Sequence, residues 1–242
     1  MDRGTVRAVI LAVGLALAGL LVGLGFARAR SADRFVTVKG IAEREVTADV
    51  AVWPLRLVTA GNDLGGAHAE LQRHVGRVRE FLEGQGIDTS QISLQGFVVT
   101  DALANPYAQS ERVASRYVIR QTVLVRSSDP QRVLDASQRV AELVNAGVVI
   151  SSGEEYGPGG PTFIFTQLNA LKPEMLAEST ARARESAQQF ARDAQSGLGS
   201  IRRANQGVFE ILPRAPGPGM TEESQLLKTV RVVSTVEYFL EG

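Results

Sequence analysis

Two histidines, His68 and His74, are the only imidazoles in this 242-residue chain, and it contains no cysteine. Thiol catalysis, disulfides, cysteine-type zinc sites and iron–sulfur clusters are therefore excluded. Six residues apart on one helix, the two rings stand roughly 240° apart around the axis and cannot share a metal ion. Both are expected on a solvated polar face. Glu154 and Glu155 are the nearest approach to a carboxylate pair. Neighbours in an extended segment point to opposite sides, so joint acid–base work is not expected of them. There is no G-x-S-x-G elbow, G-x-x-x-x-G-K-[ST] loop or H-E-x-x-H helix. Arg182, Arg184, Arg192, Arg202 and Arg203 are interspersed with Glu174, Glu178, Glu185 and Asp193 at ion-pairing spacings, which reads as a solvated face. The 26 basic and 26 acidic residues cancel, which argues against a nucleic-acid partner. No catalytic, cofactor-binding or metal-binding residue is assigned, and the chain reads as a non-enzyme.

Residues 8–27 (AVILAVGLALAGLLVGLGFA) form an uncharged apolar run, with Arg3 and Arg7 before it and Arg28 and Arg30 after it. Twenty residues at helical rise cover roughly 30 Å, the thickness of a bilayer's hydrocarbon core. Eleven of them are Leu, Ile, Val or Phe, worth roughly −3 to −7 kcal/mol for insertion. The expectation is a cytoplasmic tail over 1–7, a transmembrane anchor over 8–28 that contacts the lipid bilayer, a linker over 29–34 and a folded domain over 35–242. Ala27-Arg28-Ala29 resembles a cleavage site, so a soluble product cut near Ala29 is the alternative. Gly19, Gly23 and Ala27 offer a small-residue face for helix–helix contact.

The elements that follow alternate between two periods. Phe35–Gly40 and Val46–Ala60 read as strands, with Pro54 implying an edge or bulge and Trp53 core or bulge packing. Asn62 or Asp63 caps a helix to about Glu83, ended by Gly84 and Gly86. Ile92–Thr100 and Tyr117–Arg126 are a strand pair with a polar connection. Asp129-Pro130 opens a helix to about Asn145, followed by a strand over Gly147–Ser151. A Gly/Pro turn at Gly157–Pro161 precedes a short strand, Thr162–Gln167. A long helix is expected from Pro173 to Gly197, burying Leu176, Ala183, Ala187, Phe190 and Ala194. Ser200–Leu212 and Thr229–Leu240 close the chain as strands. The pattern is α+β, mostly antiparallel with about three helices beyond the anchor, arranged as two related ferredoxin-like halves.

Several short motifs agree with one family in order and spacing. They are Val36-Thr-Val38-Lys-Gly40-Ile-Ala42, Ala48-Asp49-Val-Ala51, Gly86-Ile87 with Ile92, Asn105-Pro106-Tyr107, Tyr117, Gly147-Val148, Phe163-x-Phe165 and Leu198-Gly199-x-Ile201. The chain resembles the SIMPL-domain family of bacterial cell-envelope proteins over Phe35 to Leu240. Ala42 stands where a second glycine is frequent. The resemblance implies an exported, periplasmic or membrane-associated protein of unestablished activity, in a family some of whose members are linked to oxidative-stress defence and some to ring-shaped oligomers. It supplies no catalytic residues. The expected role is an inner-membrane-anchored envelope scaffold, single-pass with its C-terminal domain in the periplasm, that forms a homo-oligomer. Its protein partner is unknown. The alternative role is a small-ligand or envelope-component binding module. Tyr107, Tyr156, Gly157, Gly159 and Gly160 form the candidate interaction loop.

Overall fold

The computed structural model describes residues 3–31, 34–104, 114–151 and 159–241. The chain divides into two units that interleave along the sequence. One takes Met1–Arg44, Lys172–Glu210 and Arg231–Gly242; the other takes Glu45–Leu171 and Ile211–Val230. They are therefore not consecutive halves. Among the described residues the architecture is α+β, with five α-helices and two antiparallel-rich sheets.

Helix α1 (Arg3–Ser31) carries the apolar run. Its side chains are described over 11–25, and all of these are exposed. Among the described residues no helix is long and apolar enough to cross a membrane.

In the larger unit, β2 (Val50–Gly61) pairs antiparallel with β4 (Tyr117–Ser127) over its length, β3 (Ile92–Asp101) flanks β4, and the three-residue β5 (Thr162–Ile164) flanks β2. Helix α2 (Leu64–Gly84) is capped by Asp63, whose carboxylate accepts from Gly66 N at 2.7 Å. It lies over β2 and β4. Trp53, Leu55 and Leu57 meet Leu71, Val78 and Leu82 in a cluster of 19 buried residues. Helix α3 (Pro130–Gln138), capped by Asp129, and the one-turn α4 (Ala141–Asn145) close the same layer. They replace the single helix expected there. Pro54 causes no bulge, since its pairing with Leu124 lies in continuous register. Its ring nitrogen faces away from β4, between β5 and the segment that bonds Arg56 and Val58. That segment, Gly147–Ser151, makes one bridge, Leu57 to Ile150, rather than a strand.

In the second sheet, β1 (Phe35–Thr47) and β6 (Gly197–Gln206) flank β8 (Leu227–Glu241), with which β7 (Glu210–Pro213) also pairs. Helix α5 (Leu168–Asp193) starts a turn earlier than expected. Pro173 sits inside it, where its missing N–H costs one bond to a first-turn carbonyl. Its buried stripe is Met175, Ser179, Ala183, Ala187 and Ala191, while Phe190 and Ala194 are exposed. The reason is proximity. A Cβ on Gly40 would stand 1.8 Å from Ser179 O, so β1 passes α5 at a distance only small side chains allow.

Candidate functional site

Strand β3 reads ISLQGFVVTD, and from Thr89 to Thr100 there is no charge and no proline. Edge strands are usually protected by such residues. Among the described residues β3 ends its sheet, paired to β4 on one side only. The register opposes Ile92, Leu94 and Val99 to Val125, Val123 and Ile119, so this set faces the helix layer. Helix α2 covers the two central strands and meets β3 through His68, whose ring stands edge-on to Phe97 at 5.9 Å. The strand thus keeps an apolar surface: Leu94 is 38%, Phe97 51%, Val98 50% and Val99 42% exposed. A bulge between Gln95 and Val98 places Gly96, at φ +61°, beside Thr122. The strand's far end is clamped. Arg116 bonds both carboxylate oxygens of Asp101 at 3.1–3.3 Å, which holds that carboxyl below its ordinary range and raises the guanidinium. Such an edge can pair with another strand.

The candidate loop residues fall unevenly. Gly159 and Gly160, with Pro161, line an apolar groove of about 320 Å³ beside Trp53, Leu55, Val140, Val144 and Ile150. Tyr107, Tyr156, Gly157, Glu154 and Glu155 lie outside the described residues. Gly19 and Gly23 would have nothing within 4 Å of an added Cβ, and Ala27's side chain is not among those described.

The histidines separate as their spacing required, but one expectation is corrected. His68 is exposed; His74 is buried, on the stripe of α2 with Ala67, Leu71 and Val78. Positions 67, 71, 74 and 78 share a helix face, which overrides the residue's polarity. Burial lowers its pKa, against the opposing pull of Glu70, 4.0 Å away. Among the described residues no three acidic or imidazole side chains gather as a metal site. Arg182 pairs with Glu185 on α5. A buried cation escaped the sequence reading: Lys228, fully covered, reaches Glu222 Oε1 at 2.8 Å. Its signal was parity, because Lys228 alternates with Val230, Val232 and Ser234 on the buried side of β8. The signal for β3 was its missing charge.

Fold and surface together define a two-unit α+β protein in which, among the described residues, the uncharged apolar strand β3 forms the edge of its sheet. The SIMPL family model, described as a protein of unknown function (DUF541), matches residues 36–238, and the chain belongs to that family. No curated protein matches it. Two of the motifs that carry the resemblance pack into the fold. Val38 and Ala42 are buried beside the Gly40 contact, and Ala48 and Ala51 are buried on either side of Asp49. Asp49 itself accepts from the main chain and hydroxyl of Thr166, both at 2.9 Å, pinning the exit of β5.

Proposed function

We propose that this protein is a non-enzymatic, membrane-anchored scaffold of the cell envelope whose copies associate through β3. The observation that carries the reading is the uncharged, apolar edge from Leu94 to Val99. That edge is self-complementary. A two-fold axis between Gly96 and Phe97 sets Leu94 of one copy opposite Val99 of the other, and both belong to the helix-side face. No like charges meet along the strand. Anchoring by residues 8–28 is supported by the apolar run and the exposure of its described side chains. It would confine copies to a plane, where a weak edge contact gains from effective concentration.

The test uses full-length protein in mild detergent, with mass read by light scattering. Wild type is expected above monomer mass. L94K/V99K, which sets lysine against lysine, is expected to be monomeric, and mixing it with L94E/V99E is expected to restore a heterodimer. A monomeric wild type, or a double-lysine variant of unchanged mass, overturns the proposal. Mass measurement of the mature protein in membrane and soluble fractions decides between anchor and cleaved leader. A second reading, a small-ligand module, is favoured by the groove beside Trp53, where Gly159 and Gly160 lie.

A further inference from the structure

Helix α5 lies on one face of the second sheet. There the Ser179 and Ser234 hydroxyls bond at 2.7 Å, and Val236 and Tyr238 pack with Ala183 and Ala187. Alternation turns Thr235 and Glu237 of β8 to the opposite face. Register sets Asn205 of β6 opposite Thr235 and Arg203 opposite Glu237, so these four side chains share the face turned away from α5. All four belong to one unit.

They line a groove of about 460 Å³. Ala204 also borders it, but Ala204 is opposite the buried Val236, so it offers main chain. Opposed residues stand about 5 Å apart and successive same-face residues about 6.6 Å apart. The four functional groups thus mark the corners of a rectangle with the footprint of one sugar ring. Every corner can hydrogen-bond: the guanidinium donates, the carboxylate accepts, and the amide and the hydroxyl do both. A bulge between Ile201 and Arg203 adds one residue to β6, which brings two consecutive arginines to Glu237. Arg202 takes the carboxylate, Nη1 to Oε2 at 3.2 Å, and its guanidinium lies 4.1 Å over the Phe35 ring. One such bond leaves the carboxylate with acceptor sites to spare. Arg203 stands directly opposite Glu237 yet makes no ion pair among the described residues. The groove therefore holds one neutralised carboxylate, an amide, a hydroxyl and one unmatched cation, with no large apolar side chain in its wall. A second concavity, of about 360 Å³, shares Arg203 and Glu237 and takes in Arg202.

We infer that this groove is a binding site for a sugar acid, a polyhydroxylated ligand carrying one carboxylate. Arg203 receives the carboxylate through its guanidinium fork. Asn205, Thr235 and Glu237 receive hydroxyls. An apolar ligand finds no wall to lie against, and a small anion leaves three corners unused. The volume is that of a small-molecule site. The site uses no residue of β3, so its failure and the failure of association through that edge are read separately.

Calorimetry on the full-length protein tests the inference with glucuronate, glucose and acetate, in a polyoxyethylene detergent that carries no sugar. Saturable binding of glucuronate, tighter than that of glucose or acetate, is expected. R203Q is expected to weaken it about ten- to a hundredfold, by loss of a charge-assisted bidentate contact, and to erase most of the preference over glucose. T235V is expected to weaken glucuronate and glucose alike, and by less. R184Q, on α5 across the sheet from the groove, is expected to bind as wild type does. Unchanged melting temperatures establish that the variants fold. Absence of saturable glucuronate binding, acetate bound as tightly as glucuronate, or equal losses in R203Q and R184Q would each overturn the site.

Discussion

Removing the charge of Glu222 isolates what a buried ion pair contributes here. Lys228 is 0% exposed, and its ammonium bonds Glu222 through the carboxylate at 2.8 Å and through the main-chain oxygen. In E222Q the shape and one acceptor oxygen remain, but the buried cation loses its counter-charge. Stripping one partner from a buried pair costs about 3–5 kcal/mol; the Glu222 side chain is 26% exposed and its carbonyl stays in place, which brings the expectation to about 2–3 kcal/mol. In a chain of this length that lowers the melting temperature by roughly 4–12 °C. K228M removes the charge that needs compensation while keeping an unbranched stem, so it is expected within about 1 kcal/mol of wild type. The double variant should then be no worse than K228M alone. Urea denaturation of the four proteins closes a double-mutant cycle with a coupling of about 2 kcal/mol. Moderate salt should change it little, since buried pairs are weakly screened. An E222Q cost below about 0.5 kcal/mol, or additive single effects, would refute the reasoning.

Two further perturbations address other parts of the fold. G40A drives a methyl group into the Ser179 main-chain oxygen, so helix and strand must separate; a loss of at least about 2 kcal/mol in urea denaturation is expected. His74 is buried with its pKa lowered, so the unfolded chain binds the proton more readily. Stability is expected to be full above the ordinary histidine range and to fall as pH drops through about 6.5, levelling off below the depressed folded value. H74L should flatten that part of the profile, read as melting temperature between pH 8 and pH 5.

Much of the local structure was legible because it depends on neighbours in the chain. Asp63 and Asp129 cap their helices as their positions predicted. Trp53, expected in core or bulge packing of its strand, is in the core at 1% exposure. Reading failed where a distant element decided the outcome. Phe190 was expected inside by hydrophobicity, but Gly40 draws α5 so close that only small residues fit between them. His74 was expected outside by polarity, but its helix phase buries it. The pairing partners of β1 and β8, and the interleaving of the two units, depend on contacts far apart in sequence.

By itself the sequence determined the chemistry that is absent from cysteine, the apolar segment at 8–27, the element periods and the family, because composition, short-range periodicity and motif spacing depend on the chain alone. Only the tertiary structure decided that the uncharged stretch of β3 is a sheet edge among the described residues, that His74 faces the core, and that Lys228 is buried. Each of those depends on which strand ends a sheet, which face a helix covers and which turn packs against a side chain. These are long-range outcomes that local propensity does not encode.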